Sequence, residues 1–489
     1  MHNTTRQRPF QFSRFLGLLV ALLVFLLYSR TPHDADMWGH LRAGQEMWQA
    51  KHILLVDKFS FTRSGAPWVN AFWISEVILY LAYKLGGYFG ITTLVSLTGS
   101  ATYYMLFQKL GGKKLLNAFI LLLSAIVAAP VWGPRPQIFS FFILAALCLL
   151  LDSIHAKRSK SYWVFIPVFA LWANIHGGWI WGILILIADL VGHALMKLSR
   201  NTDGNLPSWN NLAMQGFWSL AAALAIGINP NGLSIWKLPF YTVDVSMQIQ
   251  EWASPDFHQI QFHPLLWMLF LLMIAAVVGK PRVNWAALLK LIGVTYLTFV
   301  SQRNIGPFAI VAAPILADWA NLAAENLRQD YFSNFKLPKA KPLSPNIITS
   351  VNALIIFLIG ITAFGQAYIV SIPKEVDKDM PVKAIQWLKE NPSDGRLFNS
   401  YNWGGYLTWT LPERAVFIDG RADLYGSELI DQWWQVIYGT QQGFEVLKSW
   451  KIQTILLEPS WPVVALLPEA GWREAFRDHT AVIFTKIPE

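Results

Sequence analysis

Asp34 and Asp36 stand in the string TPHDADMWGHLRAGQEMW, with Trp38, His40 and Arg42 close behind them. The string begins a few residues after the hydrophobic segment RFLGLLVALLVFLLY. Two carboxylates this close can act as a general base with an orienting partner, or as oxygen ligands for a divalent cation such as Mg or Mn. Loop carboxylates also cap helices or meet solvent, but at the mouth of a membrane helix ionisable chemistry meets the head group of a lipid-borne substrate. Trp38 and Trp68 can pack on sugar faces or anchor at the interface. A second string, DKFSFTRSGAPWVNAFWISE, ends at Glu76.

Further along, Arg135 in WGPRPQ and Arg303 in SQRN each border a hydrophobic run. A guanidinium there can hold a phosphate through two hydrogen bonds, or snorkel to lipid head groups. Asn174 and His176 in ANIHGGW lie between apolar runs, where an amide and an imidazole need partners or a cavity; a helix-packing contact and a substrate contact are equally good readings. The 229 to 263 segment carries Asn229, Glu251, Asp256, His258 and His263 without a metal-binding spacing such as HExxH, and reads as a loop covering a cavity. If a metal is bound, Asp36 and Glu251 are the expected ligands. In FIDGRADLYG, Asp419, Arg421 and Asp423 follow the strand-like run AVFI, where α/β domains place ligands, although a tight turn with an internal Asp–Arg pair fits equally well. The upstream NSYNWGGYL adds Asn399 and a glycine pair that allows close backbone approach. There is no GxGxxG, Walker A or GxSxG motif, so nucleotide and acyl-serine chemistry have no support.

The elements that position these residues are mostly membrane helices. Of 489 residues, 54% are hydrophobic and 14% charged, with 24 Trp and 31 Phe, against roughly 25% charged in a soluble domain. Apolar runs near 12 to 30, 89 to 108, 115 to 132, 138 to 152, 162 to 175, 177 to 196, 211 to 228, 264 to 279, 284 to 300, 305 to 321 and 347 to 371 make about eleven spans. WISEVILYLAYKLGG is too short and polar to be one, and reads as interfacial or re-entrant. The first run follows Arg6, Arg8 and Arg14 but has no small-residue cleavage site, so it reads as a retained span.

The formal charge of +9 is spread over short loops, which argues for membrane orientation and against nucleic acid. KLGGKK, HAKRSKS, KLSRNTDGN, GKPR and NLRQDYFSNFKLPKAKP fall on the side of the basic N terminus, expected to be cytoplasmic. The polar candidates then share the outer face. The single cysteine, Cys148, excludes an internal disulfide. From about Ile372, helix-like and strand-like runs alternate, as in a small α/β domain. The expected organisation is a membrane domain over 1–371, with the acidic first external loop at 31–73, and an external domain over 372–489.

DADMWGHLRAGQ, VDKFSFTRSGAPWVNAFWISEV, RPQIFSF, ANIHGGW, NPNG, EWASPDF, NSYNWGGYL and VFIDGRADLYG together resemble a group of bacterial polytopic membrane proteins related to GT-C fold glycosyltransferases. The resemblance spans nearly the whole chain. Only the acidic first-loop motif is shared with oligosaccharyltransferase catalytic subunits and with polyprenyl-phosphate-sugar dependent mannosyl and arabinosyl transferases. It implies a GT-C-like helical membrane domain and a hexosyl- or pentosyltransferase using a polyprenyl-phosphate-linked donor. Reaction would occur with inversion on the outer face of the bacterial cytoplasmic membrane. Either Asp36 or Asp34 would deprotonate the acceptor, which could be a glycan, a lipid or a protein. His40, Arg42, Glu76, Arg135, Asn174, His176, Arg303, Asp419 and Arg421 are the expected substrate contacts. The tail lacks the WWDYG string of the oligosaccharyltransferases, so sequon glycosylation is not expected. The competing readings are a transporter or flippase and a non-catalytic envelope-assembly protein.

Overall fold

A computed structural model describes residues 8–156, 161–199, 206–239, 250–331, 344–393 and 395–487. The expected loops HAKRSKS, KLSRNTDGN and NLRQDYFSNFKLPKAKP, the N-terminal Arg6, and positions 240–249 of the expected covering loop lie wholly or partly outside the described residues.

Each expected span is occupied by a helix: α1 Arg8–Tyr28, α3 Trp73–Lys109, α4 Lys114–Ala128, α5 Gln137–His155, α6 Phe165–Ala173, α7 Trp179–Leu198, α8 Trp209–Ala225, α9 His263–Gly279, α10 Trp285–Val300, α11 Ile305–Tyr331 and α12 Pro345–Ile369. Among the described residues seven helical stretches are long and apolar enough to cross a bilayer, and three shorter apolar helices accompany them. In hydrocarbon only a helix satisfies every backbone group within itself, which is why each apolar run takes that form. The interfacial WISEVILYLAYKLGG and the span after it run on as the single helix α3. A break at Gly86–Gly87 interrupts it, with Gly87 at φ 58°, a conformation that costs glycine little and other residues more.

Between α1 and α3 the chain forms α2, Met37–Ala50, which lies against the first part of α3. The contact is backbone-close, because a Cβ on Gly44 would meet the Glu76 carbonyl oxygen at 2.1 Å. At the end of α1, the Tyr28 ring stacks on Trp132 at 4.6 Å and its hydroxyl donates to the Ala125 carbonyl at 2.9 Å. These contacts hold the start of the acidic segment over the loop that carries Arg135.

The C-terminal part folds as a four-stranded sheet of order β1-β2-β4-β3. Its strands are β1 Arg396–Asn399, β2 Ile452–Leu457, β3 Trp472–Arg477 and β4 Val482–Lys486. β1 and β2 are parallel, and β4 is antiparallel to both β2 and β3. Helices α13 Val382–Glu390, α14 Gly404–Thr410, α15 Ala422–Ile437 and α16 Gln441–Ser449 complete it. Phe398, Phe417, Ile455 and Phe484 are fully buried in the core between sheet and helices, each worth about 1.5–3 kcal/mol relative to exposure. The run AVFI does not join this sheet. Its Val416 bridges Ser60 of the loop after α2 instead, so the tail is tied to the first loop by backbone pairing.

Candidate active site

The site begins with a turn. Asp34 Oδ1 accepts the Asp36 backbone N–H at 3.0 Å, and α2 starts at the next residue. Asp36 occupies the N-cap position but makes no side-chain capping bond, which leaves its carboxylate free to turn towards the α4–α5 connection. There it meets Arg135. Arg135 Nε lies 2.5 Å from Asp34 Oδ2, and Nη1 lies 3.2 Å from Asp36 Oδ2. Nη1 and Nη2 bind both oxygens of Glu251 at 2.6 Å. Arg303 approaches the same Glu251 at 3.6 Å and lays its guanidinium over Trp252 at 4.7 Å. Three carboxylates thus surround one buried guanidinium, with a second at the rim, about a third exposed.

The charges act on one another. Burial raises the Asp36 carboxyl above its ordinary range against the opposing pull of Arg135, while the neighbouring Asp34 and Glu251 charges raise it further. For Glu251, burial is outweighed by Arg135, and its carboxyl is held low.

The tail closes the site from above. Gly420, in the turn Asp419-Gly420-Arg421, sits so close to Asp36 that a Cβ would fall 1.8 Å from Oδ1. On α14, a Cβ on Gly405 would lie 2.7 Å from the Ala35 carbonyl oxygen, so the glycine pair of NSYNWGGYL allows approach to the chain's own acidic turn. Asp419 pairs with Arg421 through two bonds of 2.8 and 2.7 Å, and Arg421 Nη1 reaches the buried Asp57 at 2.7 Å. The guanidinium also lies over Phe59 and Trp68, at 5.1 and 4.9 Å. Asp419 and Arg421 therefore form a latch between tail and first loop. Asp57 is its missed third member, legible only as an aspartate in VDKFSF.

His40 and Glu76 form a second arm. His40 Nδ1 is 3.0 Å from Glu76 Oε1, and the other Glu76 oxygen accepts from Asn70 Nδ2 at 2.8 Å. This buried, doubly bonded carboxylate fixes the imidazole one helical turn beyond Asp36. Asp423, in the first turn of α15, is pushed up to about 6 by burial against the pull of Arg421. Burial raises the Tyr401 phenol well above its ordinary value, and the surrounding Asp36, Asp419, Asp423 and Glu251 charges add to the effect. Tyr401 was also missed, since a tyrosine in an aromatic-rich tail carries no signal of its own.

Other expected contacts are placed differently. Asn174 accepts from Trp73 Nε1 at 2.7 Å and donates to the Ala170 and Ile228 carbonyls, both at 2.7 Å. All its polar atoms serve the junction of α3, α6 and the segment after α8. His176 Nδ1 is bonded to Ser140 Oγ and to the Gly178 N–H, both at 2.9 Å; burial, with Arg303 and His40 nearby, lowers it to about 3 and keeps it neutral. Arg42 turns to Gln45 and Glu46 on its own helix, at 2.7 and 3.4 Å. Trp38 and Trp68 are buried, Trp38 against Tyr406 and Trp68 beneath Arg421, so both are packing residues and cannot serve as open sugar platforms. Asp256 pairs with His258 and with the Gln259 side-chain amide in an exposed local turn, away from the charged cluster.

A divalent cation at Asp36 and Glu251 would find hard oxygen donors suited to Mg or Mn, but the Arg135 guanidinium already occupies the space between them. In this arrangement the carboxylates fit an arginine better than a metal.

No family model matches the chain, and no curated protein matches it. Solved structures do share its fold. The archaeal oligosaccharyltransferase AglB from Archaeoglobus fulgidus, in complex with an inhibitory peptide and a dolichol-phosphate, is similar with a TM-score of 0.57 at 11% identity, over 90% of this chain and 69% of that one. ArnT from Cupriavidus metallidurans in the apo state is similar with a TM-score of 0.50 at 14% identity, over 97% and 98%. The chain has the GT-C fold. The expected fold class, a helical polytopic membrane protein with a small C-terminal sheet, is borne out.

Proposed function

We propose that this GT-C protein is a membrane glycosyltransferase that moves a sugar from a polyprenyl-phosphate-linked donor to a cell-envelope acceptor. It would act on the outer side of the bacterial cytoplasmic membrane, with its N terminus cytoplasmic and the C-terminal sheet outside. The observation that carries this reading is the charged cluster of Asp34, Asp36, Arg135, Glu251 and Arg303, closed over by the Asp419-Gly420-Arg421 turn. A lipid phosphate bound to a protein of the same fold, the dolichol-phosphate of AglB, supports it.

On this reading the labour is divided among the residues. Asp36 is the base: its carboxyl is raised by burial, which brings a carboxylate nearer the range where proton abstraction is efficient. Asp34 positions it, one oxygen on the Asp36 backbone and the other on Arg135. Arg135, saturated by three carboxylates, supports the site from beneath. Among the described residues Arg303 has a single long ion pair, so it is the guanidinium that can turn to the departing phosphate. The acceptor hydroxyl gives its proton to Asp36 as its oxygen attacks the anomeric carbon. That carbon's bond to the phosphate oxygen breaks, and the polyprenyl phosphate leaves against Arg303. Charge preorganised in a water-poor site is the stabilisation such a step needs.

The test is transfer of radiolabelled sugar in proteoliposomes, using a panel of polyprenyl-phosphate hexoses and pentoses with envelope extract as acceptor. Asp34→Asn and Asp36→Asn should fold normally and transfer nothing, and Arg303→Gln should lose affinity for donor more than it loses folding. Unchanged turnover in both aspartate variants would overturn the assignment.

A further inference from the structure

A second polar cluster gathers at the far end of α5. Arg135 precedes the first turn of α5, and His155 is the last residue of that helix. At 1.5 Å per residue they stand roughly 30 Å apart, about the thickness of the hydrocarbon core. His155 Nε2 lies 2.7 Å from Asp189 Oδ2, and His193 Nδ1 lies 3.5 Å from the same oxygen. The two imidazoles stack with centroids 3.9 Å apart, and the three ligand atoms all fall within 4.8 Å of one another. Asp189 and His193 are four residues apart on α7, so they share one helix face, and His155 meets them from α5.

We propose that His155, Asp189 and His193 bind one divalent transition-metal ion of the zinc class. Neighbouring ligand atoms in a tetrahedral zinc site are separated by roughly 3.4 Å, given bond lengths of about 2.0–2.2 Å, so small side-chain adjustments complete the site. Two imidazoles and one carboxylate are borderline donors that favour zinc, cobalt or nickel over magnesium or calcium. For metal to bind His193 at Nδ1, that nitrogen gives up its 2.8 Å bond to the Asp189 carbonyl, the proton moving to Nε2.

One further observation points to an additional occupant. Gln215 is fully buried and its Oε1 has no hydrogen-bond partner among the described residues, although its Nε2 donates to Asp189 Oδ2 at 2.9 Å. Turning that amide over would offer the oxygen as a fourth ligand. Lys290 sits 3.0 Å from the other carboxylate oxygen, Oδ1. It orients the carboxylate from the far side, as groups around a metal's ligands commonly do. The ion would tie the end of α5 to α7, away from the charged site and independently of sugar transfer.

The experiment uses the full chain purified in detergent through a histidine-free tag, stripped with chelator and exposed to zinc or cobalt alone. One equivalent of zinc with a dissociation constant below about 1 μM, and a cobalt(II) absorption spectrum of tetrahedral N/O type, are expected. His155→Gln and His193→Gln should each weaken zinc binding at least tenfold, while His258→Gln leaves it unchanged. If the wild-type chain takes up no zinc, or binds it equally after both substitutions, the cluster is a metal-free ion network and the proposal fails. Because the readout is metal and not turnover, a failed glycosyl-transfer assay leaves it standing.

Discussion

Replacing Gly420 with alanine should separate the tail from the acidic turn. The new Cβ would fall 1.8 Å from Asp36 Oδ1, whereas carbon and oxygen in contact normally sit at roughly 3.3 Å, so about 1.5 Å of movement is required. Asp36 cannot simply rotate away, because its other oxygen is paired with Arg135 at 3.2 Å. Nor can the turn lift without stretching the Arg421 pair to Asp57 of the first loop. Overpacking costs about 1–3 kcal/mol, and leaving a buried charged group short of a partner adds about 1–3 kcal/mol. The expected penalty is thus about 2–6 kcal/mol. It should appear as a lower melting temperature in detergent and faster proteolysis between 411 and 422. Gly39→Ala, whose Cβ would have 3.8 Å of clearance, should be neutral or slightly stabilising. In an Asp36→Ala background the carboxylate being struck is gone, so most of the Gly420→Ala penalty should vanish, a coupling of about 1–3 kcal/mol. An equal penalty in both backgrounds, or no penalty at all, would refute the proposed contact.

Arg135→Gln keeps much of the volume but strands three carboxylates, and should destabilise by about 3–5 kcal/mol, measurable as lost monodisperse protein or a lower melting temperature. Asp423 titrates near 6 in the folded chain against an ordinary value of about 3.9. Its protonated form is therefore favoured by folding, and that stabilisation is complete below about pH 4 and lost as pH rises through about 6. Asp423→Asn should accordingly raise stability at pH 8 by up to about 3 kcal/mol, at 1.36 kcal/mol per pH unit, with little effect at pH 4; a pH-independent difference would contradict this. Arg421→Lys loses the two-bond pairing to Asp419 and should cost about 1–3 kcal/mol, read by the same tail proteolysis.

The helical membrane part was legible because hydrocarbon imposes one solution. A run of apolar residues must close its own hydrogen bonds, so every expected span from 12 to 371 is occupied by a helix, and α3 breaks at the two glycines that end WISEVILYLAYKLGG. The acidic turn was legible for a similar reason, since aspartates beside a membrane helix are costly without purpose. AVFI reads as strand-like because a short apolar run fits a buried extended segment, but its composition does not name the partner. Its partner, Ser60, lies more than three hundred residues away.

By itself, the sequence determined the fold class, the helices and the pairing of Asp34 with Asp36 at the mouth of the first one, all consequences of local composition and periodicity. Only the tertiary structure decided which charges meet. Arg135 reads equally as a phosphate ligand or a snorkelling side chain until Asp34, Asp36 and Glu251 are seen around it, and Asp419 and Arg421 read equally as a binding loop or a tight turn until Asp57 completes the latch. Coulomb energy depends on separations set by chain segments that never adjoin in sequence, so the same residues acquire their roles when the tail folds back over the first loop.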